Sequence, residues 1–312
     1  MSPHAAHTST SAEPRCAVIM KTYSWDAFVE RQYSRLCDGA DGLDVYLSVD
    51  ETNGARAPAS VRNVLRTNQS EILALGLADR YEKGSLLWWN PDYTHYHVLR
   101  EIPDYDYYMF VEYDVYIHGG AGWFMDEVIS SGAENVLHLR SDMDAWMWTR
   151  FHKNVYPKEI CRGSLNCITV HTRRALEFLF RRRQNMSSAG DISFWPLSET
   201  FIPTELERGG FTCIPLSSFG DVSHYEWFPP TLENDLDTTP DGHLRFIHPV
   251  LDQNRYVKSL LTNTHLVKDF ISPDSHLRRE LKRFPQSVTR SDLIHAAFNR
   301  SIERVKLQLG GF

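Results

Sequence analysis

The chain has 312 residues, 42% of them apolar and 12% aromatic, and a formal net charge of −7. That length supports one large α/β domain with an appendage, or two modest domains, and the scattered Lys and Arg exclude the broad basic face that binding a phosphate backbone requires. Five cysteines, Cys16, Cys37, Cys161, Cys167 and Cys213, form no CxxC pair, which argues against a disulfide framework and a zinc knuckle and for reduced thiols.

Residues 1–15 are small and polar, lack the apolar core of a secretory signal, and read as a disordered tail. No later run reaches the roughly eighteen apolar residues that a membrane span needs. The expectation is a soluble, cytoplasmic protein, peripheral to a membrane at most. CAVIMKTY, Cys16 to Tyr23, suits a buried parallel strand, and Trp25, Phe28, Tyr33 and Leu36 follow with helical spacing. LDVYLSVD reads as a second strand ending on Asp50. Val61 to Leu77 read as a helix, SLLWW as a strand, and PDYTHYHVLREI as a helix opened by Pro91. The next strand lies within DYDYYMFVEYDVYIHGG, Asp104 to Gly120.

NVLHLR and SLNCITVH read as strands, the latter leading into the helix TRRALEFLFRRR, whose terminal Arg181 to Arg183 suit the helix dipole. SETFIPTELERGG reads as a helix stopped by Gly209 and Gly210. From Leu260 the patterning is helical, and the last helix starts at the N-cap Ser291 with Leu293, Ile294, Ala297, Phe298, Ile302 and Val305 as its apolar side. Alternating strands and helices predict an α/β fold with a mixed, mostly parallel sheet covered by helices on both faces. The expected organisation is a tail over 1–15, a catalytic domain over 16–259 and a C-terminal helical appendage over 260–312.

Two carboxylates, Glu112 and Asp114, stand one residue apart near the end of the strand within DYDYYMFVEYDVYIHGG. In an extended strand, residues two apart share a face, so both would act on one object. An unpaired carboxylate is costly to desolvate, and open α/β sheets bind ligands outside the carboxyl ends of their strands. A hard divalent cation, Mg²⁺ or Mn²⁺, completed by substrate phosphates, resolves both demands.

A strand closing on an acidic-x-acidic signature resembles the DxD motif of glycosyltransferases with the Rossmann-like GT-A fold, written here Glu112-Tyr113-Asp114. The resemblance implies Asp114 as metal ligand and Glu112 as a ribose or metal-shell contact. It also implies Thr22 and Asp50, at the ends of the first two strands, as nucleoside contacts, although each also fits an ordinary strand-end cap. SETFIPTELERGGF is similar to the late GT-A helix whose leading acid serves inverting members as general base, here Glu199, with Asp191 as the competing candidate. LRFIHPVLDQNRYVKSLL is similar to the segment supplying a histidine ligand, here His248, with Arg255 and Lys258 placed to neutralise phosphate oxygens.

The activity so implied is metal-dependent transfer of a sugar from a nucleotide-diphosphate sugar to a glycan or lipid-linked hydroxyl acceptor, as in polysaccharide biosynthesis, with inversion favoured over retention. A sugar nucleotidyltransferase would carry glycine after its first strand, and MKTYSWD has none. A non-catalytic carbohydrate- or nucleotide-binding protein of the same fold is the other alternative. The aromatic residues of Met143 to Phe151 and Trp195 offer surfaces for sugar stacking, and core packing explains them equally. His95 and His97, two apart on a helix, point away from each other, which disfavours a zinc site. Arg300, Arg304 and Lys306 leave the last helix two roles: packing on the catalytic domain, or resting on a membrane surface near a lipid-linked acceptor.

Overall fold

The computed structural model describes residues 13–54, 57–79, 86–141, 155–189 and 195–308. Strand β1 (Cys16–Thr22) is buried along its whole length, as its apolar run requires. Helix α1 (Ala27–Asp38) starts at Asp26, whose carboxylate accepts the backbone N–H groups of Phe28 and Val29. β2 (Asp44–Asp50) follows. The expected helix over 61–77 is instead strand β3 (Val64–Thr67) and the short helix α2 (Gln69–Ala74). Pairing of Val64 to Thr67 with β2 overrides the local pattern, and the Asn68 side chain, accepting the Glu71 N–H, restarts the chain as helix. SLLWW also departs from expectation, since Leu86–Trp89 is one helical turn, α3, running into α4 (Asp92–Glu101). A run of four apolar residues has no period by which to tell the two apart.

The chain continues through β4 (Tyr107–Glu112), β5 (Tyr116–His118), α5 (Ala121–Ser131) and β6 (Asn135–Leu139). Next come β7 (Ser164–Thr172), α6 (Arg173–Ser188), α7 (Ser198–Arg208) and β8 (Cys213–Pro215). Strands β9 (Asp221–Tyr225), β10 (Thr231–Leu232), β11 (Arg245–His248) and β12 (Val250–Leu251) precede the last helices. These are α8 (Gln253–Asn263), α9 (Val267–Ile271), α10 (His276–Leu281) and α11 (Arg290–Gln308).

The chain divides into two compact units, Met1–Tyr113 with Gly120–Phe219, and Asp114–Gly119 with Gly220–Phe312. The first holds a seven-stranded sheet in the order β3-β2-β1-β4-β7-β6-β8. β1 pairs in parallel with β2 and β4, β2 with β3, and β6 with β8, whereas β7 runs antiparallel to β4 and β6. The fold is therefore a mixed, mostly parallel α/β sheet flanked by helices. Strand order steps outward in opposite directions from β1 and β4, so their carboxyl ends form a topological switch point.

Alternate residues of β1 feed two cores. Ala17 and Ile19 join Val98, Tyr108, Phe110 and Leu176 on one face, while Met20 joins Phe28, Val29, Leu47 and Val49 on the other. The glycines of HGGAG have a packing reason. Gly120 has φ +96°, and a Cβ there would lie 2.7 Å from the Gly39 carbonyl oxygen, so α5 can begin hard against the turn after α1.

Arg183 does not end its helix, as the sequence reading had it; α6 runs five residues further, and Arg183 is fully buried. Its Nε donates to Asp92 Oδ2 at 2.7 Å and its terminal nitrogen to the Pro196 carbonyl at 2.9 Å, while Phe201 lies 3.7 Å beneath the guanidinium. Ser198 Oγ and Tyr96 Oη donate to the same carboxylate. Burial alone would lower the Arg183 pKa, and the Asp92 charge and hydrogen bond together with Tyr93 and Tyr96 raise it overall. Three elements, α4, α6 and the start of α7, are thereby locked together.

In the second unit β11 pairs antiparallel to β5 and parallel to β9, and β10 pairs with β12. Besides Asp114–Gly119 the unit takes in the whole stretch from Gly220, 40 residues before 260, and Leu232 and Leu251 share one core with Tyr256, Leu260, Phe270, Leu277 and Leu281. The cap of α11 is Thr289 and not Ser291. Thr289 Oγ1 accepts the Asp292 N–H, and Asp292 accepts the Thr289 N–H in return, a reciprocal pair that satisfies two otherwise orphaned donors.

Asp92→Ala leaves the Arg183 charge buried without its counter-charge, for an expected loss of about 3–5 kcal/mol in denaturant unfolding. Replacing Asp92 and Arg183 together by apolar residues of similar size should cost less than that single change. Equal losses would show that the pair carries no such burial penalty.

Candidate active site

Glu112 has a cation, and it is a lysine. Lys21, fully buried in the apolar run of β1, stands opposite Glu112 in the β1–β4 register and reaches its Oε1 at 3.4 Å. The same ammonium donates to the Asn166 carbonyl on β7 at 3.3 Å. A buried lysine without a counter-charge would be driven to neutrality, so the two charges hold each other in place at the switch point. The expected shared face of Glu112 and Asp114 does not follow from the structure. β4 ends at Glu112, and Tyr113 and Asp114 form a turn, where the two-residue alternation of a strand no longer holds.

Glu199 belongs to this cluster. It lies in the first turn of α7, and Pro196 and Ser198 just before it are held by the Arg183–Asp92 network. The carboxylate accepts the Asn166 backbone N–H. Its pKa is pushed up to about 8, first by burial and then by the Glu112 charge, with Lys21 and Arg140 opposing. Two acids therefore face Lys21, and Glu199 keeps a proton at neutral pH.

A neutral polar layer lies in the same unit. His95 stacks on Phe110 at 3.7 Å, and His171 meets Asn135 Oδ1 at 2.8 Å. Burial, and secondarily the Lys21 charge, lowers both pKa values, that of His171 to about 3. These rings add no positive charge beside Lys21. Tyr23, at the end of β1, is 44% exposed and meets Tyr113 edge-on, their hydroxyls 3.1 Å apart. The sequence reading singled out neither Lys21 nor Tyr23; the one signal for Lys21 was a charge inside an otherwise apolar strand.

In the second unit, His248 Nδ1 lies 2.8 Å from the Glu226 carbonyl, which can only accept, so Nδ1 carries the hydrogen. Nε2 is then directed to Asp114 Oδ1 at 3.7 Å. That is too long for a hydrogen bond but within the span of two ligands each about 2.0–2.2 Å from one ion. A backbone carbonyl fixing the far nitrogen is the usual support of a metal-ligating histidine, and carboxylate suits Mn²⁺ or Mg²⁺. The residues present fit a divalent cation. Among the described residues Glu71, His97 and Glu101 also gather. Arg100 contacts both of those carboxylates, and His97 Nδ1 meets Thr67 Oγ1.

The remaining expected site residues have local partners. Thr22 Oγ1 donates to the Ser24 carbonyl at 2.6 Å, and Asp50 Oδ1 accepts both the N–H and the hydroxyl of Thr52, as strand-end caps do. Arg255 donates to Asp252, the residue that caps α8, at 2.6 Å, whereas Lys258 is exposed on the same helix. Trp195 donates to Asn90 and lies beside Arg183, a packing role. Asp191 and the aromatic residues of 143–151 lie outside the described residues.

No family model matches the sequence, and no curated protein is significantly similar to it. Among solved structures the chain is similar to one titled "crystal structure of a glycosyltransferase involved in the glycosylation of the major capsid of PBCV-1". The TM-score is 0.36 and the identity 9%, over 68% of this chain and 88% of that one.

The raised pKa of Glu199 makes stability depend on pH. Between the ordinary value of 4.5 and about 8, the unfolded chain gives up this proton while the folded chain keeps it. The contribution is thus fully present below the unfolded value and lost as pH climbs through the folded one. Glu199→Gln removes that loss, so the thermal-midpoint advantage of the variant should widen from acid pH to about pH 8 and then level off. A pH-independent difference would mean that folding leaves the Glu199 pKa at its ordinary value.

Proposed function

We propose that the chain is a glycosyltransferase of the GT-A type, moving a sugar from a nucleotide-diphosphate sugar to a hydroxyl of a glycan or lipid-linked acceptor. The observation that carries this reading is the cluster of Lys21, Glu112 and Glu199 at the carboxyl ends of β1 and β4, where open α/β sheets take their ligands. An acid whose pKa lies near working pH is what proton transfer at a sugar hydroxyl calls for.

In this reading Glu199, once deprotonated, takes the proton of the acceptor hydroxyl. The hydroxyl oxygen bonds to the anomeric carbon as the bond from that carbon to the diphosphate oxygen breaks, inverting the configuration. Lys21 pairs with Glu112 and donates to the Asn166 carbonyl, and the N–H of the same residue holds Glu199. Asp114 and His248 would hold the Mn²⁺ or Mg²⁺, which when bound neutralises charge on the donor diphosphate. Lys258 would add positive charge toward phosphate oxygens. Tyr23 offers an exposed ring on which a nucleobase can stack, beside the strand-end residues Thr22 and Asp50.

A thermal-shift series with nucleotide-diphosphate sugars should show stabilisation only with Mn²⁺ present, and Asp114→Asn should remove it without unfolding the protein. Stabilisation by the sugar nucleotide alone, unchanged in the variant, would take the metal role from Asp114.

Glu199→Gln preserves shape but cannot accept a proton, so turnover should fall by roughly 10²–10⁴-fold with little change in donor binding. The wild-type rate should rise with pH toward about 8 as the base form fills. Asp191→Asn is the paired control. Loss of transfer there and not at Glu199 would move the base to Asp191, and near-normal transfer by both would favour retention, read from the anomeric configuration of the product.

A further inference from the structure

Helix α11 has two apolar faces, and one of them is covered. Leu293, Ala296 and Ala297 pack into the core that α8, α9 and α10 build around Tyr256, Phe270 and Leu281. Ile294, Phe298, Ile302 and Val305, spaced four, four and three apart, share the other face. They are exposed, Ile294 at 67% and Phe298 at 62%. Ile271 ends α9, which packs beside α11, and is 73% exposed. Large side chains gathered in this way mark a surface made to be covered.

Charge decides what covers it. From Gln253 to Phe312 the sequence carries eleven Lys and Arg against five Asp and Glu, whereas the whole chain has 33 against 40. The acidic surplus therefore lies entirely before α8. Lys268 is exposed one turn before Ile271, and Arg290 one turn before Ile294. Asp292, the acid in the first turn of α11, is two positions from Ile294, hence on another side of the helix, and is engaged by Thr289. A second copy of the chain on this face would bring two basic segments together. An anionic bilayer accepts the apolar stripe and the basic margin at once.

We infer that the outer face of α11 is a membrane-docking surface, with the helix lying in the plane of an anionic leaflet and Ile294, Phe298, Ile302 and Val305 toward the acyl chains. No helix among the described residues is long and apolar enough to cross a membrane, and the contact argued is one of lying on the surface. Unlike a transmembrane anchor, it is reversible and weakens with salt. The inference stands independently of the proposed reaction.

The test is flotation of the full chain with vesicles of phosphatidylcholine alone and with an equimolar mixture of phosphatidylcholine and phosphatidylglycerol. The chain should float with the anionic vesicles at low salt, and less at high salt. Phe298→Asp should lower partitioning at least about tenfold, since it removes an inserted ring and adds a repelled charge. Phe298→Asp and Ile294→Asp change exposed positions, so each should keep the wild-type thermal midpoint. Wild-type protein left at the bottom of the anionic gradient overturns the inference, as does flotation unaltered by either variant. A concentration-dependent dimer in sedimentation that Phe298→Asp dissociates, without flotation, would give the face to a second copy.

Discussion

One buried ammonium organises the first unit. Lys21 lies fully buried in an interior strand of a sheet covered on both faces, so every polar group near it has to answer its charge. Glu112 supplies the counter-charge from the neighbouring strand, the Asn166 carbonyl supplies an acceptor, and burial with Lys21 nearby holds His95 and His171 neutral. The cluster sits where strand order diverges, the place at which an open sheet leaves a crevice. Glu199 then enters a neighbourhood where Lys21 is already shared with Glu112, and burial, with the Glu112 charge, pushes its proton affinity up.

Placing that acid falls to a second buried charge pair. Asp92 and Arg183 share no surface with solvent, and their hydrogen bonds to Ser198 and to the Pro196 carbonyl fix the residues just before Glu199. A rigid support of this kind matters for proton transfer, because a carboxylate displaced by an ångström loses much of its advantage as base. The polar interior of the unit is thus a two-tier arrangement: one ion pair sets the electrostatics at the sheet edge, and another sets the helix that carries the titrating group.

The second unit follows a different logic. Its helices bury one apolar side of α11 in a shared core and leave the other side to the exterior, so a single amphipathic count misreads the helix. Leu293 and Ala297, placed with Ile294, Phe298, Ile302 and Val305 on one expected face, turn out to divide from them. A helix with a wide apolar arc can satisfy two neighbours, and only the fold tells which residues meet which.

By itself the sequence determined the features that depend on near neighbours. The apolar run of β1, the strand that carries Glu112, the helix that begins around Glu199 and the stop at Gly209 and Gly210 all stand where residue patterning puts them, because periodicity and capping act over a few positions. The tertiary structure decided whatever depends on distant partners. Lys21 meets Glu112, and Asp92 meets Arg183, each across 91 positions, and no local pattern announces either pair. Val64 to Thr67 became a strand because β2 offered hydrogen bonds that helical spacing cannot foresee. Likewise, the hydrogen on His248 Nδ1, and with it the nitrogen left for Asp114, rests on a carbonyl 22 residues away. Patterning specifies what must be buried; only the register of packed strands and helices determines which buried charge faces which.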